Sequence, residues 1–258
     1  MSERPPEKGT RTQQHEIVID APIEAVWKAI SDAEELTRWF VEEASVEPGV
    51  GGTISVSWGG DEKGEARIDE WEPNRKLRKT LMPFEMGAAK YDGTTPMVDE
   101  YTIERRDGKT VLRLVSSGIP GTPEWDGFYD GTDSGWSSFF RTLRHYLEHH
   151  AGKPRQTIKV VGKLSGPPED AWARLADAVK PTGAIVFEKA PTILEMTIPE
   201  LGDAYLWHSM SCSGATSYVY TMLSVYGKTP AEVETIRAKW QPWFEQVLGV
   251  EAPSPTAS

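Results

Sequence analysis

A single cysteine in 258 residues, Cys212, excludes an internal disulfide and with it the stapled frameworks of small secreted domains. Nowhere do about 18 apolar residues run together, so the sequence holds no stretch of the kind that crosses a bilayer as a helix. Residues 1–14 are polar and charged and lack the apolar core of a signal peptide, so the expected location is cytoplasmic. Cations are scarce where nucleic acid would need them. Residues 1–150 hold 18 Lys+Arg against 28 Asp+Glu, and residues 151–258 hold 10 against 11, for a net charge of -11. A phosphate backbone requires clustered cations, and it is set aside as a partner. Reactive motifs are missing too. His149 and His150 are adjacent on a predicted helix and point apart, with no third ligand at a recognisable spacing, so no metal is expected. Gly49-Val50-Gly51-Gly52 precedes a strand instead of a helix and reads as a turn, not a phosphate loop, and no cofactor is expected. Ser213-Gly214 lacks the Gly-x-Ser-x-Gly elbow, and Cys212 has no neighbour that would lower its pKa.

What is present is a repeat. A shift of 145 positions brings Pro22, Glu24, Trp27, Asp32 and Ala33 onto Pro167, Glu169, Trp172, Asp177 and Ala178. Two related modules are therefore expected: residues 13–150 and, shortened, 156–249, joined by a linker at 151–155, with disordered ends at 1–12 and 250–258. In the first, Gln14 to Asp20 alternates as a strand, and Ile23, Val26, Trp27 and Ile30 then form a helical stripe. Strands are expected over Gly52 to Trp58, Gly64 to Trp71, Arg75 to Met82 and Val98 to Arg106, the last turning at Asp107-Gly108 into Thr110 to Ser116. Trp136, Phe139, Phe140, Leu143 and Leu147 lie along one stripe of a helix over Ser134 to His150. Two Gly/Pro-rich loops, Pro83 to Pro96 and Gly118 to Gly131, are read as a lid. The second module repeats this with a strand at Thr157 to Leu164, a helix at Pro168 to Val179, four more strands, and a helix from Pro230 that Pro242 should kink or interrupt.

The order Ile19-Asp20-Ala21-Pro22, Val26-Trp27, Trp39-Phe40, Gly51-Gly52, Glu70-Trp71-Glu72-Pro73 and Gly135-Trp136 resembles the START-like superfamily and, within it, the family of the activator of Hsp90 ATPase C-terminal domain. The resemblance covers about residues 13 to 150. It implies an α+β helix-grip fold, a curved antiparallel sheet wrapped around a long C-terminal helix, with an apolar cavity between them. The family takes its name from a eukaryotic cochaperone whose separate N-terminal domain makes much of the chaperone contact. Nothing in this sequence resembles that domain.

Candidate ligand-binding residues follow from this layout. Trp39, Phe40, Trp58, Trp71, Trp136 and Phe140 supply rings that either fill the core or wall a pocket. Leu112, Leu114 and Leu143 line the same faces. Tyr101 and Arg113 are the polar candidates. An inward Arg113 could hold a carboxylate or enolate, whereas an outward one would pair with a surface acid such as Glu104, and the inward phase of Leu112 and Leu114 favours the outward reading. His145 is read as exposed. The expected function is noncatalytic binding of a hydrophobic small molecule in the cavity. The alternatives are a cyclase- or hydrolase-like enzyme using the same cavity and a protein that binds an Hsp90-type chaperone. A homodimer or protein contact through residues 156–249 is a further expectation, since a shortened sheet can leave an edge.

Overall fold

The computed structural model describes residues 9–60, 62–213 and 216–250. Residues 1–8 and 251–258 of the expected disordered ends, the Cys212 side chain and Ser213-Gly214 fall outside the residues whose side chains it describes. The chain divides into two compact units at Gly152/Lys153.

In the first unit, β1 (Thr10–Ile19) leads into α1 (Ile23–Ser31) and α2 (Ala33–Thr37), then β2 (Glu43–Val46), β3 (Thr53–Gly59), β4 (Glu62–Glu72), β5 (Lys76–Leu81), a small hairpin of β6 (Phe84–Met86) and β7 (Ala89–Tyr91), then β8 (Val98–Arg106), β9 (Lys109–Pro120) and α3 (Asp126–His149). Seven strands form one antiparallel sheet in the order β1-β9-β8-β5-β4-β3-β2. Its register follows the alternation of the sequence. Ile17 and Ile19 point inward, and Leu112, Leu114, Tyr101 and Ile103 share that face because they stand opposite one another across β1, β9 and β8. α1 buries Val26, Trp27 and Ile30, each worth on the order of 1.5–3 kcal/mol when fully removed from water. Asp32 ends this helix and caps α2, accepting from the Glu35 amide at 3.0 Å.

Two stretches depart from the sequence expectation. Residues 10–12, assigned to a disordered end, are strand: Thr10 and Thr12 pair with Pro120 and Ser117, and β9 skips Gly118 in a bulge. Gly118 has φ +84, and a Cβ there would sit 2.1 Å from the Pro96 carbonyl oxygen, so only glycine fits. The two expected lid loops are also regular. Pro83 to Pro96 contains the β6–β7 hairpin, and α3 starts at Asp126, eight residues before Ser134. Gly127 and Gly131 hid that turn, since each costs a helix about 1 kcal/mol relative to alanine. Tertiary contacts override them: Arg11 Nη1 meets Asp126 Oδ1 at 2.7 Å, its guanidinium lies 4.5 Å above the Tyr129 ring, and Phe128 stacks on Phe84.

The second unit contains β10 (Arg155–Lys163), α4 (Pro168–Val179), β11 (Ala184–Lys189), β12 (Ile193–Ile198), β13 (Ala204–Ser213), β14 (Thr216–Tyr226) and α5 (Pro230–Leu248), with the sheet ordered β10-β14-β13-β12-β11. β10 begins at Arg155, inside the segment read as linker, and Val250 forms a bridge with Leu164, inside the segment read as tail. The repeat is visible in position: Trp27 on α1 and Trp172 on α4 are each 8% exposed and follow the first strand of their unit. It diverges at Asp177, which lies within α4 where its counterpart Asp32 ends a helix. Pro242 does not interrupt α5, which runs on to Leu248 because Trp240, Phe244 and Leu248 bury one side of it. Its N-terminus carries a full capping box between Thr229 and Glu232, with Pro230 next. Thr229→Ala should lower the stability of this unit by about 1 kcal/mol in urea unfolding, with an unchanged m-value.

Candidate functional site

Between the concave face of the first sheet and the first half of α3 lies a cavity of about 150 Å³. Its apolar wall includes Ile54, Val56 and Trp58 at alternate positions of β3, Phe40 from the chain after α2, Trp136 and Phe128 from α3, and Phe84 and Met86 from the small hairpin. Phe40 is the hub of the rings. It stacks on Trp39 at 5.1 Å and on Trp136 at 5.4 Å, and meets Trp58 and Phe139 edge-on at 5.2 and 4.7 Å. The two segments read as a lid converge at the far end, where Phe84 packs against Trp125 and Phe128.

A polar row crosses this apolar surface. Lys79 of β5 stands opposite Asp99 of β8, Asp99 opposite Ser116 of β9, and Ser116 opposite Gln13 of β1. All four line the cavity. Lys79 Nζ lies 3.6 Å from Asp99 Oδ2, and the two side chains are 12% and 9% exposed. Ser116 Oγ donates to Asp99 Oδ1 at 2.6 Å. Gln13 Nε2 donates to the Tyr129 carbonyl at 2.6 Å and to Thr132 Oγ1 at 3.0 Å, tying the end of the row to α3. Burying charge without compensation is costly, and here each charge has an opposite partner.

Two neighbouring titratable groups, Tyr101 and His15, stay neutral near pH 7. Burial, then the Asp99 carboxylate, push the Tyr101 phenol well above its ordinary 10, so it is a hydrogen-bond donor and not a base. Burial also holds His15 below its ordinary 6.5, outweighing Asp133, whose Oδ1 lies 3.5 Å from Nε2.

The residues singled out by sequence divide into three groups. Phe40, Trp58 and Trp136 line the main cavity, and Trp39 and Tyr101 join Phe40 and Trp136 around a smaller adjoining void. Leu112, Leu114, Phe140 and Leu143 are buried at 2% exposure or less and line neither space. Trp71 also lies outside both, packed edge-on against Trp27 at 5.0 Å beneath α1. Arg113 stands in register between Glu16 and Thr102, out of phase with Leu112 and Leu114, and does not line the cavity. An inward Arg113 is thereby ruled out. His145, read as exposed, is 6% exposed. Its ring lies 5.0 Å from those of His149 and His150, yet among the described residues no group of three His, Cys, Asp or Glu is arranged to hold a metal. Nor is any helix of the described residues long and apolar enough to cross a membrane.

Sequence reasoning passed over Lys79, Asp99, Ser116 and Gln13. The signal was their phase: Lys79 falls between Leu77 and Leu81, Asp99 precedes Tyr101 and Ile103 by two and four, and Ser116 follows Leu112 and Leu114. A charged residue in the inward phase of a strand marks either an error of register or a buried site.

Among solved structures, the Aha1 dimer from Colwellia psychrerythraea is 20% identical and aligns over 55% of this chain and 99% of its own, with a TM-score of 0.47. A protein from Mesorhizobium loti is 27% identical over 54% of this chain and 98% of its own, with a TM-score of 0.46. The di-domain ARO/CYC BexL from the BE-7585A biosynthetic pathway is 15% identical over 95% of this chain and 100% of its own, with a TM-score of 0.46. No curated protein matches the chain in sequence. The family described as activator of Hsp90 ATPase homolog 1-like protein matches residues 20–148. That match takes in half of the chain, from the turn after β1 to the last turn of α3, and the protein belongs to this family.

Proposed function

We propose that the first unit binds an apolar small molecule in the cavity between its sheet and α3, without chemical turnover. The observation that carries this reading is the enclosed aromatic wall around Phe40, Trp58 and Trp136, open to a guest and crossed by a few polar groups. Two of its hydroxyls are already engaged within the protein, Ser116 by Asp99 and Thr132 by Gln13. Val56 is a half-buried wall residue whose enlargement fills the space without removing a core contact. Val56→Trp should leave the circular dichroism spectrum unchanged and weaken naphthalene binding by about tenfold or more, as read by isothermal titration. Equal binding by the two chains would place the guest elsewhere. The role proposed for the second unit is support of the first, and native mass spectrometry of the gently purified chain would show whether one guest is carried per molecule.

A further inference from the structure

The polar row is the part of the cavity that a wholly apolar guest would leave unused. Two of its members are satisfied within the protein, Ser116 by Asp99 Oδ1 and Gln13 by α3. Lys79 and Asp99 keep capacity. The ammonium has three N–H donors, and its protein contacts are the Asp99 carboxylate at 3.6 Å, beyond hydrogen-bond reach, and the Tyr101 ring at 5.7 Å. Asp99 Oδ2 accepts no hydrogen bond from the described residues. A donor and an acceptor therefore stand side by side on the cavity wall.

We propose, resting on the ligand-binding reading above, that Lys79 and Asp99 select the guest: it carries a carbonyl oxygen and a hydroxyl on nearby atoms of an aromatic body. The carbonyl accepts from Lys79 Nζ, and the hydroxyl donates to Asp99 Oδ2. Geometry suits such a pair, because two oxygens on nearby atoms of one guest can each face one of two groups that stand 3.6 Å apart here, the hydroxyl turning its proton away from the carbonyl and toward Asp99. Charge suits it as well. A carboxylate would be drawn to Lys79 and repelled by Asp99, an ammonium would meet the reverse, and a neutral hydroxy ketone complements both. An apolar guest would cover both charges and leave their hydrogen bonds unmade.

The test is calorimetric titration of the full chain with naphthalene, 2-acetylnaphthalene, 1-acetyl-2-naphthol and 1-naphthoate. Affinity should rise about tenfold on adding the carbonyl and about tenfold again on adding the hydroxyl, while naphthoate binds no better than 2-acetylnaphthalene. In the double variant Lys79→Met, Asp99→Leu, which leaves neither charge buried alone, the three neutral compounds should bind within about threefold of one another. Equal affinities in the parent, or a parent ranking that survives in the double variant, would overturn the selection by this pair and leave the cavity reading standing. Naphthoate as the tightest binder would replace the inference with a plain anion site. Binding of none of the four would overturn both readings. Should the double variant not fold, the ranking in the parent decides alone.

Discussion

Trp39→Ala is expected to cost the first unit about 3–5 kcal/mol, the range for truncating a buried tryptophan. At 1% exposure the indole is among the largest fully buried side chains of the molecule, stacked on Phe40 and donating its Nε1–H to the Ala29 carbonyl at 2.8 Å. Truncation removes the packing, opens space beside the smaller void and strips the end of α1 of a hydrogen bond. Trp39→Phe separates these effects. It keeps most of the ring volume and loses the donor, so its cost should be on the order of 1–3 kcal/mol. Urea unfolding of the three chains, followed by circular dichroism, checks the order. A Trp39→Ala chain as stable as the parent would mean that the ring is not the wedge between α1 and the cavity that its contacts describe.

Acid should weaken the second unit through one side chain. His208 of β13 is fully buried, its Nδ1 is 2.8 Å from Thr221 Oγ1, and its ring packs 6.1 Å from Trp172 of α4. Burial pulls its pKa down from 6.5 to about 3. Between those values the unfolded chain takes up a proton that the folded chain does not, so stability is full above about pH 6.5, falls as the pH falls, and levels off below about 3. The slope approaches 1.4 kcal/mol per pH unit, for a total of about 5 kcal/mol. His208→Gln keeps a polar neighbour for Thr221 and cannot titrate. The stability difference between parent and variant should therefore shift in favour of the variant by about 2–3 kcal/mol between pH 7 and pH 4.5. The carboxylates common to both chains cancel in that difference. A constant difference across the range would show that His208 is protonated in the fold.

Strand and helix positions were legible because alternation and the 3.6-residue stripe are written in single side chains. Val98 to Arg106 and Pro168 to Val179 have the bounds that their patterns suggest. The start of α3 was not legible, since its first turns carry two glycines and owe their helix to Arg11 and Phe84, far away in the chain. Within the cavity, the rings of Phe40, Trp58 and Trp136 could be named from the layout alone. Which of many buried apolar residues lines the cavity is decided by position in three dimensions, which periodicity does not carry: Leu112, Leu114, Phe140 and Leu143 are buried and do not line it. The polar row escaped for a different reason. Its members fall in the inward phase of their strands, but only when β1, β9, β8 and β5 are laid side by side do they join into one row.

Antiparallel strands with apolar inner faces could slide past one another by two residues and still present hydrocarbon to the core. The row forbids this. A two-residue slip of β5 against β8 would set Lys79 opposite Met97 or Tyr101, and would leave an ammonium and a carboxylate each facing apolar neighbours. The same four side chains that line the cavity thus act as a key for alignment, telling each strand which of several equally greasy positions is its own. A descendant of this chain that exchanged all four for leucine and valine would keep its hydrocarbon contacts and lose one of the marks that set the register, leaving pairs such as Leu77 and Tyr101 to hold it.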